Sequence, residues 1–292
     1  MIKNLLASAL VLLASLTPGN LLAAEKIKVL VLDGPQRSHK YLDTTPVLKQ
    51  ILEKIAHFEI DHSRSSPEEC KDGSYQPEFD KYDVVIMNEG FGAADWPKAT
   101  QKDFEDFIAN GGGMVAIHAA NNSWPKWKEY NKMTGIGGWG GRNEKSGPYL
   151  YMDSDGKVIR DESKGRGGAH GPSHEFELVV REKEHPIMKG LPPVFKHGPD
   201  ELYDKLRGPA KNVTILASTF SSKEKRGTGR HEPALMAISY GKGRIFHTIL
   251  GHHVKQMKEG SFVTTFQRGT EWAATGKVTI PVPKDFPNQK FE

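Results

Sequence analysis

Residues 110–122 read Asn-Gly-Gly-Gly-Met-Val-Ala-Ile-His-Ala-Ala-Asn-Asn, and this stretch carries the clearest signal of the fold. It is typical of a helix end, a glycine turn, a short buried strand over residues 114–117, and a histidine, His118, where that strand stops. In an open parallel sheet, ligands bind just beyond the carboxyl ends of the strands. His118 is therefore the first candidate for a functional residue.

Two more buried strands are predicted upstream of this stretch. Residues 27–32 are almost continuously apolar and end in Asp33-Gly34, and residues 83–87 are similar and end in Asn88. A further strand is predicted over residues 58–62, and the polar residues 64–81 after it are predicted to form a loop.

Two helices are predicted between these strands. Asp43 or Thr44 can cap the first helix, whose apolar residues have helical spacing and whose first turn tolerates a proline. Thr100 and Asp103 resemble a capping box at the start of the second, and Gly111 can end it. The alternation predicts an α/β fold with a mostly parallel, doubly wound sheet.

The second half of the chain has shorter and more varied elements. The sequence predicts strands over 176–180, 201–204 and 213–217, a hairpin of 233–239 with 244–250, a closing helix over 262–273, and an extended tail. Residues 121–175 interrupt the regular pattern and are rich in tryptophan and glycine. They form either a functional loop that acts as a lid or a surface excursion whose tryptophans fill a small core of its own.

The composition excludes several classes of protein. The 292 residues carry a formal charge of +4 without a basic run, so no nucleic-acid partner is expected. The one cysteine, Cys70, excludes an intramolecular disulfide and a zinc site of several cysteines. Because its neighbours are polar, Cys70 is interpreted as an incidental surface thiol.

Residues 1–24 are typical of a secretory signal peptide, with Lys3 before a short apolar run and small residues near Ala24. The apolar run is too short to span a bilayer comfortably, and no lipoprotein cysteine follows it. We therefore expect a periplasmic or secreted protein without a stable membrane anchor, with an uncleaved anchor as the alternative. The sequence does not indicate an oligomeric state.

Several histidines lie at predicted loops or strand ends on one rim of the sheet. Besides His118 these are His39, His174 and His252, and such a group can bind a divalent metal together with Asp33 or Asp200. The alternative for His118 is a core histidine that is satisfied by a backbone carbonyl. Asp200-Glu201 either supplies a carboxylate or forms a solvated turn. Ordinary surface or turn roles are assigned to the remaining histidines considered, which are His57, His62, His185 and His197.

Tryptophans beside this polar rim suit a carbohydrate, because the apolar faces of sugars stack on aromatic rings while their hydroxyls take hydrogen bonds. The sequence therefore predicts a sugar pocket that includes Trp124 and Trp139 from the irregular segment, Asp33 and Asn88 from strand ends, and His174 and Asp200. His118, with His39 and His252, is the candidate for acid/base catalysis.

The chain resembles the ThuA-like family of trehalose utilisation over residues 27–276. The resemblance rests on an ordered series of short motifs: a loop histidine after the first strand, 82–85 Tyr-Asp-Val-Val, 111–118 Gly-Gly-Gly-Met-Val-Ala-Ile-His, 137–138 Gly-Gly, 185–191 His-Pro-Ile-Met-Lys-Gly-Leu, 200–203 Asp-Glu-Leu-Tyr, 240–244 Tyr-Gly-Lys-Gly-Arg and 250–252 Leu-Gly-His. It implies a single ThuA-like domain over 25–278, with an extended tail over 279–292.

The resemblance also implies a flavodoxin-like three-layer sandwich similar to the class I glutamine amidotransferases. In those enzymes the turn after the glycine strand presents a cysteine, whereas this chain has His118 there. The family implies a link to disaccharide or keto-sugar metabolism, because its trehalose-utilisation members act beside dehydrogenases that make 3-keto-sugars. The expected function is conversion of a glycoside or keto-sugar by histidine acid/base chemistry. A periplasmic sugar-binding module and a metal-dependent hydrolase are the alternatives.

Overall fold

The computed structural model describes residues 26–291, in which helices pack on both sides of a large mixed sheet. The strands are β1 (Ile27–Asp33), β2 (Phe58–Arg64), β3 (Val84–Asn88), β4 (Gly113–Ile117), β5 (Tyr149–Met152), β6 (Val158–Asp161), β7 (Ala169–His170), β8 (His174–Val180), β9 (Val194–Asp200), β10 (Tyr203–Asp204), β11 (Val213–Ser221), β12 (Arg230–Tyr240) and β13 (Gly243–Thr248). The α-helices are α1 (Tyr41–Glu53), α2 (Pro67–Asp72), α3 (Lys98–Ala109), α4 (Lys128–Thr134), α5 (Val254–Met257) and α6 (Gly260–Thr275).

The order of the main sheet is β2-β1-β3-β4-β13-β12-β11-β8-β9. The strands from β2 to β13 pair in parallel, and those from β13 to β9 pair antiparallel. The predicted α/β fold class is confirmed. The antiparallel half follows from the hairpin at residues 240–243, because a tight turn can only join antiparallel strands.

The glycine run before β4 has a packing function. Every residue of β3 and β4 is buried, as expected for central parallel strands that are covered on both faces. A Cβ atom on Gly113 would lie 2.6 Å from the backbone carbonyl of Ala273. Helix α6 therefore lies directly against β4, and only glycine permits this close approach.

The predicted helix starts were wrong by a few residues. Helix α1 begins at Tyr41, before both predicted caps. Helix α3 begins at Lys98, directly after Pro97, and has no side-chain cap. The Thr100 hydroxyl instead donates to the carbonyl of Tyr75, 2.6 Å away. This tertiary hydrogen bond uses the hydroxyl that a capping box would need.

The loop prediction for residues 64–81 was also wrong in part. Helix α2 forms there, and the Ser66 side chain caps it by accepting a hydrogen bond from the backbone N–H of Glu69 at 3.1 Å. Cys70 lies on its inner side and is only 7% exposed. The interpretation of Cys70 as a surface thiol was therefore wrong, because one apolar side chain of this polar helix turns into the core.

Within residues 121–175, Trp124 and Trp127 pack into a small aromatic core. Their rings lie 4.9 and 5.7 Å from the ring of Trp96, and both side chains are nearly fully buried. The indole N–H of Trp124 donates to the carbonyl of Ala94. These two tryptophans thus stabilise the segment by packing on Trp96 and Phe104, which lie outside it, so this aromatic core is continuous with the main hydrophobic core and is not the segment's own.

Two buried arginines stabilise the same segment, Arg142 from within it and Arg207 from the rest of the domain. The guanidinium of Arg142 donates to the carbonyls of Gly138 and Ser123 and to the Asn131 side chain. That of Arg207 donates to several carbonyls of residues 147–165. Turns that lack regular secondary structure leave carbonyls unpaired, and these arginines satisfy them.

The last part of the chain closes the fold. The predicted strand over 201–204 is shifted, because β9 ends at Asp200 and only the short β10 follows. Helix α6 covers the predicted closing helix, and residues 276–291 run without a helix along the surface. Within residues 26–291, no helix is long and apolar enough to cross a membrane. The predicted signal peptide lies outside the described residues.

Candidate functional site

His118 occupies a sharp turn at the carboxyl end of β4. Its φ angle is 43°, a left-handed conformation that residues other than glycine seldom adopt and that is enriched at functional sites. The register that pairs Ile117 of β4 with Thr248 of β13 places Ile249, the residue that follows β13, beside His118. Nδ1 of His118 lies 2.5 Å from the carbonyl oxygen of Ile249. The turn therefore resembles a nucleophile elbow that presents an imidazole.

This hydrogen bond determines which nitrogen of His118 carries the proton. A carbonyl oxygen only accepts, so Nδ1 is the donor and Nε2 holds a lone pair. Burial lowers the pKa of His118 to about 4, so the imidazole is neutral near pH 7. Its Nε2 is buried without a hydrogen-bond partner among the described residues, and the nearest carboxylate oxygen, from Glu201, is 3.9 Å away.

His39 and His252 surround His118. The three ring centroids lie 4.9–5.2 Å apart in pairs. Burial, together with the charges that neighbouring histidines would carry, lowers the pKa of His39 to about 2 and that of His252 to about 3. The cluster consists of three neutral imidazoles at neutral pH.

Glu201 completes the cluster. Its carboxylate lies 3.2 Å from Nδ1 of His252 and 3.7 Å from Nδ1 of His170. Burial raises the pKa of Glu201, and the charge of Asp200 adds to this effect, whereas His170 opposes it. Potential ligand atoms of His39, His118, Glu201 and His252 all lie within 4.8 Å of one another, so within residues 26–291 these four could hold a metal ion.

Asp200 lies behind the cluster rather than in it. Its buried carboxylate accepts hydrogen bonds from the backbone N–H groups of Gly251 at 2.7 Å and His252 at 3.3 Å, and it contacts Nε2 of His197 at 2.9 Å. Burial alone would raise the pKa of Asp200, but the contact with His197 lowers it overall. Asp200 thus fixes the backbone that carries His252. The surface role assigned to His197 was wrong, since this side chain is 1% exposed.

A cavity of about 310 Å³ opens above the cluster. Its lining residues are Ser38, His39, Phe91, Asn122, Trp139, His170, Glu201, Tyr203, His252 and His253. Trp139 and Tyr203 form an aromatic wall with ring centroids 4.6 Å apart, and the Tyr203 ring lies 4.0 Å from that of His118. The volume is at the lower end of the range for ligand pockets, about 300–1,000 Å³, and suits one sugar ring.

The structure brings four of the predicted site residues together, namely His118, His39, His252 and Trp139. Their elements are distant in sequence and meet because β1, β4 and β13 are parallel and end at one edge of the sheet.

Four other predicted site residues lie away from this cavity. The Asp33 carboxylate pairs with Arg64 at 2.8 Å and His62 at 3.0 Å, and the Asn88 amide donates to two threonine hydroxyls of α1. Trp124 belongs to the small aromatic core. Nδ1 of His174 bonds to the carbonyl of Pro172, outside the cavity lining.

Seven of the ten lining residues were not among the predicted site residues, and the chemically important ones are Tyr203, His170 and Glu201, of which Glu201 had been considered with Asp200 as a possible carboxylate. Glu201 and Tyr203 are two residues apart, which puts both side chains on one side of an extended segment. That spacing, directly after the predicted Asp200, was the available signal. His170 follows the run Gly-Arg-Gly-Gly, and no local pattern of the sequence indicates that it reaches the cavity.

Comparisons with known proteins agree with this architecture. The family model for ThuA, described as trehalose utilisation, matches residues 28–273. A crystal structure of a ThuA-like protein from Parabacteroides merdae is 42% identical, with a TM-score of 0.86 and coverage of 92% of this chain and 98% of that one. A ThuA-like protein from Bacteroides uniformis is 18% identical, with a TM-score of 0.61 and coverage of 90% and 98%, and shares the fold. Among curated proteins, none matches this chain.

Proposed function

The chain belongs to the ThuA family of trehalose utilisation, and from this premise we propose that it converts a glycoside or keto-sugar in the cavity above His118 by proton transfer. The observation that carries the proposal is the Nε2 lone pair of His118. This atom is buried, lacks a hydrogen-bond partner among the described residues and lies 3.9 Å from a carboxylate oxygen of Glu201, which lines the cavity. Because residues 1–24 are typical of a secretory signal peptide, we also propose that the protein acts outside the cytoplasm.

The cavity supplies the contacts that a sugar ring needs. Trp139 and Tyr203 offer aromatic faces to the apolar C–H side of the ring. Asn122 and Ser38 lie in the lining and can hydrogen-bond hydroxyl groups. Because the cavity suits a single ring, the second unit of a disaccharide would extend towards solvent.

A ketone in the sugar makes histidine chemistry sufficient. In a 3-keto-glycoside the C–H bond at C2 is acidified by the neighbouring carbonyl, so a neutral imidazole can accept this proton. The electron pair of that bond then forms the C1–C2 double bond, the bond from C1 to the glycosidic oxygen breaks, and the leaving oxygen takes a proton. If the leaving group stays, the electron pair is held in the enolate of the C3 ketone, and protonation of C2 on the opposite face gives the C2 epimer, which is an isomerisation.

The roles of the other residues follow from their positions. Burial raises the pKa of Tyr203 well above its ordinary value, so its hydroxyl keeps its proton and can donate to an oxygen of the substrate. Glu201, whose pKa is also raised, is a second candidate donor. His39 and His252 flank the position of the ring and hold the substrate in place.

The test compares His118→Ala with the parent protein on 3-keto-trehalose and 3-keto-glucosides, with His174→Ala as the matched control. Loss of a positioned acid/base group typically lowers turnover by about 10²–10⁴-fold. We expect a loss of that size in His118→Ala, with a melting curve that still shows a folded protein, and parental turnover in His174→Ala. Retained turnover in His118→Ala would refute the role of His118. Binding of sugars without any product in the parent would identify a sugar-binding module instead.

A further inference from the structure

We propose that His39, His118, His252 and Glu201 form a binding site for one divalent first-row transition-metal ion. The proposal deepens the proposed function, since the site lies in the same cavity, but binding of an ion can be measured without any sugar. Four donor groups converge, two of their nitrogens are buried and unpaired among the described residues, and the fold orients His118 and His252.

The geometry of the donors is close to that of a metal site. Donor atoms of the four residues lie within 4.8 Å of one another. Four ligands at about 2.1 Å from an ion in a tetrahedral arrangement are separated by roughly 3.4 Å. The donors therefore need to move together by about an ångström, which side-chain torsions permit. The residues come from four separate parts of the chain, so their convergence is a property of the fold.

Two of the imidazole nitrogens lack a partner in the protein. Nε2 of His118 and Nδ1 of His39 are buried and make no hydrogen bond to any described residue. The His118 side chain is only 2% exposed, and its Nε2 points towards Glu201. Native proteins pair almost all buried polar atoms, so an unpaired nitrogen that faces other donors indicates a ligand.

The surroundings of the cluster orient its donors as the second shell of a metal site does. The carbonyl of Ile249 holds Nδ1–H of His118 and leaves Nε2 as the donor. Asp200 holds the backbone of His252, whose ring stacks on that of His253 at a centroid distance of 3.8 Å.

The donor set indicates the class of ion. Three imidazole nitrogens and one carboxylate suit the series from Mn²⁺ to Zn²⁺, whereas Mg²⁺ and Ca²⁺ prefer ligands that are all oxygen. Four protein ligands leave further coordination positions on the cavity side for ions that accept five or six ligands. A bound ion there would polarise a carbonyl or hydroxyl oxygen of a sugar.

This proposal changes the expected role of His118. A nitrogen that binds an ion no longer accepts a proton, and the acceptor would then be His170, which lies 3.7 Å from Glu201 and outside the four ligands. The two roles of His118 can be distinguished by experiment, because turnover requires a metal if His118 is a ligand and requires none if His118 is the proton acceptor. Ion binding itself decides between a metal site and a cluster of histidines alone.

The experiment uses protein purified without a histidine tag, treated with a chelator and then dialysed. Metal analysis and titration calorimetry with Zn²⁺ and Co²⁺ measure stoichiometry and affinity, and the visible absorption of bound Co²⁺ reports its coordination. We expect one ion per chain and nitrogen-rich coordination. The variants are His39→Ala, His252→Ala and Glu201→Gln, and His174→Ala is the control.

Each ligand variant should lose at least about 100-fold in affinity, more than the 10–100-fold typical for loss of a second-shell partner, and the control should bind as the parent does. Melting curves identify any variant that fails to fold, and the Glu201→Gln isostere keeps the size of the side chain. Absence of stoichiometric binding in the parent, or equal affinity in the variants and the control, would overturn the metal site. Turnover of keto-sugars by metal-free parent protein would support the proposed function without a metal site. Stoichiometric metal binding without turnover of keto-sugars would support the metal site without the proposed function.

Discussion

Replacing Asp200 with asparagine should destabilise the protein and displace His252 from the cavity. The two carboxylate oxygens of Asp200 share four contacts: Oδ1 accepts from the backbone of Glu201 and His252, and Oδ2 contacts the backbone of Gly251 and His197. Asparagine preserves the shape and one acceptor oxygen. If the amide nitrogen takes the place of Oδ2, however, Gly251 N–H and the His197 ring nitrogen face a donor instead of an acceptor.

The magnitude follows from these contacts. A hydrogen bond to a charged group contributes about 1.5–3 kcal/mol, and two of them are lost, so the expected loss is roughly 3–6 kcal/mol. No correction for solvent screening is needed because the Asp200 side chain is 0% exposed. A domain of this size should lose about 10 °C in Tm.

Urea unfolding of the parent and of Asp200→Asn measures this loss, with exposed Asp103→Asn as the control. The pH dependence has a definite sign. Because the pKa of Asp200 in the folded protein lies below its ordinary 3.8, the stabilisation is complete above that pH and disappears as the pH falls through the folded value. The difference in the free energy of unfolding between the parent and Asp200→Asn should therefore be constant from pH 7 to pH 5 and disappear in stronger acid. A loss below about 1 kcal/mol at pH 7 would refute the assignment of Asp200 as the support of His252.

Two other predictions concern a buried acid and the aromatic wall. Burial raises the pKa of Glu89 from 4.5 to about 8, so the parent should lose roughly 1.4 kcal/mol of stability per pH unit across that range as the unfolded chain ionises first. Glu89→Gln, which can still bond Ser65, should flatten this dependence in thermal melts, and an unchanged slope would contradict the burial of a neutral carboxyl. Trp139→Ala should raise KM for a sugar substrate about 3–10-fold, as expected for the loss of about 0.5–1.5 kcal/mol of stacking. Trp124→Phe should lower Tm and leave KM unchanged, and equal KM in Trp139→Ala and the parent would remove Trp139 from the sugar site.

The fold was predictable from the sequence where its signals are local. The apolar strands that end at Asp33, Asn88 and His118 alternate with helices of ordinary length, and that alternation determines a parallel sheet. The helix starts were less predictable, because Thr100 hydrogen-bonds to Tyr75 instead of capping α3. Such tertiary competition for a polar group cannot be seen in a local pattern.

The site was predictable only in part for a similar reason. His118, at a strand end after a glycine run, carries a local signal, whereas the role of Glu201 depends on β9 bringing it beside two histidines from other strands. Asp33 lies at the same edge but is neutralised by Arg64, a partner that its position alone does not reveal. Position at a strand end indicates where a site lies, and the pairing of each side chain decides whether it takes part.

The most direct test of the account is proton exchange at the carbon next to the ketone. A 3-keto-glucoside is incubated with the protein in D₂O, and deuterium at C2 is followed by NMR or mass spectrometry, with and without added Zn²⁺. The account predicts incorporation or elimination at C2 with the parent and the His174→Ala control, and neither with His118→Ala. A substrate that binds, as a thermal shift would show, but keeps its C2 proton in the parent under every condition would contradict the central claim.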